Sequence, residues 1–151
     1  MNYYAFVDPS GGSADSFTLA VAHAEKRFIL DGVWERKPPF SPTSVTEEFA
    51  AILKQYGVRK VTGDRYGGEF PRELFRTHGV GYEPSAKTRS EIYIEFLSLL
   101  NSGRVELRSM RGCWRNWRGW SVAWRAAVER SWITSGAITM IWLTRALAQF
   151  V

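Results

Sequence analysis

Two aspartates carry the strongest chemical suggestion in this sequence. Asp8 directly follows the apolar run Tyr3–Val7, and Asp64 ends the run that starts at Val58 and closes at Gly63. If those runs are neighbouring parallel strands, both carboxylates reach the same sheet edge, where open α/β sheets place their sites. Carboxylates that close repel one another, which favours a divalent cation between them, and hard oxygen donors suit Mg2+ or Mn2+. Such an ion activates water and stabilises in-line displacement at phosphorus. The competing reading is that each aspartate only opens a turn, for which Asp8-Pro9 and Asp64-Arg65-Tyr66-Gly67 are both suited.

Other polar residues are less specific. Asp15 fits a turn before the second strand better than a further ligand, and Glu69 fits the start of a helix better than a supporting role beside Asp64. Lys87 and Arg89 flank the start of a helix, where free amides and the helix dipole favour phosphate, so they are the candidate nucleic-acid contacts. The plainer alternative for both is a solvated basic loop. His23 and His78 have no partner at metal-ligand spacing and receive no role. No GxxxxGK[ST] phosphate loop is present, so the chain by itself is not an ATPase. The single cysteine, Cys113, excludes an internal disulfide framework and a cysteine-based zinc cluster.

The elements that must position these residues are legible from turn signals and periodicity. Tyr3–Val7, Phe17–His23 and Arg27–Trp34 read as an antiparallel three-strand meander, the first turn being Asp8-Pro9-Ser10-Gly11-Gly12. After a proline-marked loop, Ser44-Val45-Thr46-Glu47 reads as a capping box opening a helix to about Tyr56, with Val45, Phe49, Ile52 and Leu53 on one face and Gly57 as its stop. A strand from Val58 to Gly63, a helix around Pro71–Thr77 and a strand from Gly79 to Pro84 follow. Thr88-Arg89-Ser90-Glu91 is a second capping box, for a helix through about Leu100 that buries Ile92, Phe96 and Leu99; Arg104–Leu107 begins a last strand. A meander followed by alternating helices and strands implies an α/β mixed sheet flanked by helices.

Composition changes abruptly after Leu107. Residues 1–107 hold 13 Lys/Arg against 14 Asp/Glu and one of the seven Trp. Residues 108–151 hold seven Arg, no Lys, one acid (Glu129) and six Trp. The overall net charge of +5 therefore describes the tail and is poor evidence for a nucleic-acid partner. Residues 133–151 are apolar but interrupted by Arg145 and Gln149, so no membrane span is expected. No signal peptide opens the chain, which makes cytoplasm of the host cell the expected location.

The stretches FVDPSGGSADSFTLAVAH, PPFSPTSVTEEFAAILKQYGV, VTGDRYGGEFPRELFRTHGV and YEPSAKTRSEIYIEFLSLLNSGRVEL resemble the nuclease domain of tailed-phage terminase large subunits. The resemblance covers essentially all of residues 1–107, in order and with compatible spacing. It implies the ribonuclease H-like fold and metal-dependent endonucleolytic cleavage of concatemeric phage DNA during packaging. It also implies double-stranded DNA, the terminase ATPase domain, the small terminase subunit and the portal as partners. Asp8 matches the acid that ends the first strand of the family, and Asp64 the acid of its GDRYGGE segment. The family's third acid, in a segment resembling HDDLANA near the C-terminus, has no counterpart in residues 108–151.

The genetic code accounts for that gap. Reading the last base of one codon with the first two of the next, Trp132-Ile133 forces an aspartate, because TGG followed by AT contains GAT. Met140-Ile141 forces another in the same way, and residues 138–145 are compatible with HDDLANA. The expectation is thus a terminase-like nuclease domain over residues 1–107, incomplete, and an Arg/Trp-rich tail over 108–151 read out of frame, with cleavage impaired. The alternatives are a non-catalytic nucleic-acid-binding module, in which Arg and Trp contact phosphates and stack on bases, or a degenerate prophage protein.

Overall fold

The computed structural model describes residues 2–63, 69–88, 91, 94–95, 98–99 and 101–107, the last two by backbone alone. Six strands form one mixed sheet: β1 (Tyr3–Asp8), β2 (Phe17–Ala24), β3 (Phe28–Arg36), β4 (Lys60–Gly63), β5 (Gly81–Pro84) and β6 (Val105–Leu107). Their spatial order is β5-β4-β1-β2-β3-β6. β1, β2 and β3 pair antiparallel, while β4 lies parallel to β1, β5 parallel to β4 and β6 parallel to β3. This is the expected meander extended by parallel strands, a mixed sheet flanked by helices.

Both faces of the sheet are covered. On one, Ala5, Val7, Phe17, Leu19 and Val21 pack against Val45, Phe49 and Leu53 of α1 (Pro42–Gln55) and Phe75 of α2 (Glu69–Thr77). On the other, Ala20, Ala22, Phe28 and Leu30 pack with Leu99. The positions described as helical between 91 and 101 are Glu91, Ile94, Glu95, Ser98, Leu99 and Asn101. Ile92 and Phe96, expected to be buried there, lie outside the described residues. Phe6, in the middle of β1, is fully buried, so the strand that ends at Asp8 runs through the interior.

The helix boundaries correct two expectations. α1 starts at Pro42, with Ser41 as its N-cap, rather than at Ser44. Pro42 suits the first helical position because its missing N–H would have had no partner there. Thr46 accordingly faces inward and donates its hydroxyl to the Pro42 carbonyl at 2.7 Å. The strand expected from Gly79 starts at Gly81: Gly79 adopts φ +75° and closes α2, donating to Arg76, while Val80 donates to the Phe75 carbonyl. The second capping box forms as expected, with the Glu91 carboxylate accepting from the Thr88 N–H at 2.6 Å and Glu91 N–H donating back to the Thr88 hydroxyl.

His23, to which the sequence assigned no role, has a structural one. It is buried on β2, and the pairing of β2 with β3 slips between Val21 and Ala22, leaving Asp31 without a Cα partner in the ladder. His23 Nδ1 and the Asp31 carboxylate meet at 2.5 Å across this bulge. The rings of Tyr3 and Tyr56 close the cluster edge-on. Burial, then the Asp31 carboxylate and the Tyr3 phenol, push the Tyr56 phenol above its ordinary pKa. Removing one member of a buried hydrogen-bonded pair leaves the other unsatisfied, at about 1–3 kcal/mol. Asp31→Ala is therefore expected to lower the unfolding free energy by that amount, read in a urea titration as a lower midpoint with the slope of the transition unchanged.

Candidate active site

Asp8 is the last residue of β1. Phe6 and Val7 are in register with Thr62 and Gly63 of parallel β4, and Asp8 itself lies opposite Thr18 of β2. The next residue along β1 from the Val7–Gly63 rung is thus Asp8, and the next along β4 is position 64. Asp8 is half-buried at the edge where the parallel strands β1, β4 and β5 all end. Asp64 and Arg89 lie outside the described residues. Among the described residues, no three His, Cys, Asp or Glu side chains cluster to hold a metal.

The end of β4 is tightly built. Gly63 lies between Val7 and Pro84, and its carbonyl accepts from the Ser85 N–H at 3.0 Å, extending the β4–β5 ladder past the strand. A Cβ at Gly63 would overlap the ring of Tyr82, which is buried and stacked on Phe75 of α2 at 6.0 Å. Only glycine lets that ring lie across the strand end. Tyr82 therefore braces the chain where it leaves for position 64. The sequence offered Gly63 as a strand terminus and gave no signal for this packing, because Tyr82 is nineteen residues away.

The loop after Asp8 is also pinned. The Ser10 hydroxyl donates to the Asp15 carbonyl at 2.6 Å and accepts from the Gly12 N–H at 3.3 Å. Gly12 takes φ +86°, and a side chain there would strike the Phe40 carbonyl. Asp15 is exposed and contributes its backbone to this turn, in line with the turn reading. Glu69 begins α2, where its charge suits the helix dipole, and it faces Arg72 at 3.4 Å. A cavity of about 90 Å³ lined by Pro9, Ser10, Phe17, Thr46, Phe70 and Leu74 opens between this loop and α2, with Phe70 largely exposed.

Lys87 lies three residues beyond β5, at the same edge as Asp8. Its ammonium donates to both oxygens of Glu95, at 2.6 and 2.8 Å. Sequence reasoning missed Glu95, since the two residues are eight positions apart and no local pattern pairs them. His78 follows α2 with its backbone N–H on the Phe75 carbonyl.

No family profile and no curated protein sequence matches the chain. Solved structures do match its fold. The large terminase nuclease of thermophilic phage G20c with bound zinc superposes at a TM-score of 0.68 and 14% identity, covering 98% of this chain and 82% of that one. The manganese-soaked human cytomegalovirus terminase nuclease domain gives 0.64 at 12% identity over 97% of this chain and 81% of that one. The bacteriophage HK97 large terminase gives 0.64 at 14% identity over 96% of this chain. The chain spans 39% of the HK97 protein and 57% of a second structure of the G20c nuclease. No helix among the described residues is long and apolar enough to cross a membrane. The chain thus has the ribonuclease H-like fold of the terminase large-subunit nuclease domains.

Proposed function

We propose that residues 1–107 are the larger part of a terminase-type nuclease domain that cuts double-stranded DNA with a divalent metal, and that the chain as translated cuts it poorly. The observation that carries this reading is the pairing of β1 with β4, which ends one strand at Asp8 beside the strand that leads into Asp64, on a fold shared with a zinc-bound and a manganese-soaked terminase nuclease. Asp8 and Asp64 would hold Mg2+ or Mn2+, two hard carboxylates for a hard ion. When bound, the ion supplies a Lewis acid that activates water and stabilises displacement at phosphorus.

The protein's own residues supply position and charge. The pinned loop after Asp8 and the Tyr82 brace fix the end of β1 at Asp8 and the end of β4 at Gly63. Lys87 lies at the same edge and is assigned to the DNA backbone, with Arg89 as the second basic residue of that segment. The partners assigned with this reading are double-stranded DNA, a terminase ATPase domain, the small terminase subunit and the portal, in the cytoplasm of the host cell. The impairment follows from the third acid, which is encoded in the shifted frame after Leu107 and not translated.

Supercoiled plasmid incubated with the 151-residue chain and Mn2+ is expected to show feeble nicking that EDTA abolishes. Robust cleavage would contradict the impairment. Sequencing the gene around codon 107 tests the frame, and codons that cannot encode HDDLANA in the shifted frame would overturn it.

A further inference from the structure

We propose that Glu95 sets the affinity of this edge for DNA, because its carboxylate occupies the place on Lys87 that a backbone phosphate would take. The inference rests on the reading of Lys87 as a nucleic-acid contact. The Lys87 ammonium is gripped by both Glu95 oxygens, at 2.6 and 2.8 Å. Two oxygens on one anionic group are what the non-bridging oxygens of a phosphate also offer. Both side chains are about two-fifths exposed, so a competing anion can reach the pair from solvent.

The lysine is anchored while its partner is replaceable. Lys87 N–H donates to the Ser85 hydroxyl at 3.2 Å, and that hydroxyl donates in turn to the Lys87 carbonyl at 3.3 Å. Ser85 N–H is bound to the Gly63 carbonyl, which ties the loop to the end of β4. The backbone carrying Lys87 is therefore fixed relative to the β4 end, and exchange of Glu95 for phosphate requires only side-chain rotation. A half-exposed ion pair is weak and salt-screened. A DNA duplex, which gains from counterion release at each neutralised phosphate, can displace it where an isolated anion competes poorly.

The test uses fluorescence anisotropy of a labelled duplex with the full chain, in EDTA, so that it does not depend on whether Asp8 and Asp64 hold a metal. Glu95→Gln is expected to tighten binding about two- to fivefold, the range an exposed ion pair spans. It should also steepen the salt dependence by about 0.9 in log–log slope, one phosphate contact. Lys87→Ala is expected to weaken binding, and Lys87→Ala/Glu95→Gln to bind no better than Lys87→Ala. No gain from Glu95→Gln overturns the proposal, and so does an equal gain in the Lys87→Ala background, which would trace the effect to net charge. Circular dichroism of each variant checks that the fold is kept. Absence of saturable Mn2+ binding by the full chain with this pattern intact would sink the metal-nuclease reading alone.

Discussion

Asp8→Asn is expected to reduce manganese-dependent plasmid nicking to background while leaving thermal stability nearly unchanged. Asparagine keeps the size of the side chain and its capacity to accept a hydrogen bond, so the strand end is preserved. What it removes is the anionic oxygen that a hard cation requires. Loss of a partner in the outer shell of a metal site already costs about 10–100-fold in affinity or activity, so loss of a ligand is expected to cost at least about 100-fold. The comparison should be made at several Mn2+ concentrations, because weakened binding would be rescued partly by excess metal. Nicking by Asp8→Asn at the wild-type rate would show that the carboxylate only opens a turn.

Phe49→Ala is expected to be the most damaging single change to the fold. Phe49 is fully buried on α1 and meets Phe17 of β2 edge-to-face at 5.2 Å, so it joins the helix to the centre of the sheet. Phenylalanine-to-alanine changes in cores cost about 3–5 kcal/mol through lost burial and the cavity left behind. A domain of this size has about 5–15 kcal/mol in total, so the variant should lie close to its unfolding transition at room temperature. Urea titration followed by far-ultraviolet circular dichroism measures this, and a midpoint within error of wild type would contradict the packing described.

The site and the core differ in how far they could be read from the residues. Asp8 was legible because a short β-rich run ends on it against Pro9 and Ser10-Gly11-Gly12, a purely local signal. The parallel pairing of β1 with β4, on which the reading of the two aspartates was conditional, is present in the structure. Gly57, with φ +69°, ends α1 where the periodicity stops, and Val58 N–H returns to Leu53 as in a helix-closing turn. The start of α1 was misread because Ser44 and Glu47 mimic a capping box, whereas Pro42 at the first helical position was the stronger signal.

What was illegible depends on contacts between distant segments. Asp31 meets His23 only because β3 bulges, and a bulge leaves no composition mark. Tyr82 crosses Gly63, and Glu95 closes on Lys87, through the folding of separate elements onto one sheet edge. Each of these residues alters the reading of a neighbour that the sequence had already singled out or passed over. Lys87 illustrates the point: a basic residue in a loop proves to be an ammonium already held by a carboxylate, so its availability to phosphate depends on Glu95.

One divalent ion is expected to bind where β1 and β4 end, through Asp8 and Asp64. Titration of Mn2+ into the full chain, with free ion counted by electron paramagnetic resonance, tests it most directly. One saturable site per chain is expected, lost in Asp8→Asn and in Asp64→Asn while both variants remain folded. Saturable binding that survives both substitutions, or none in the wild-type chain, would contradict it.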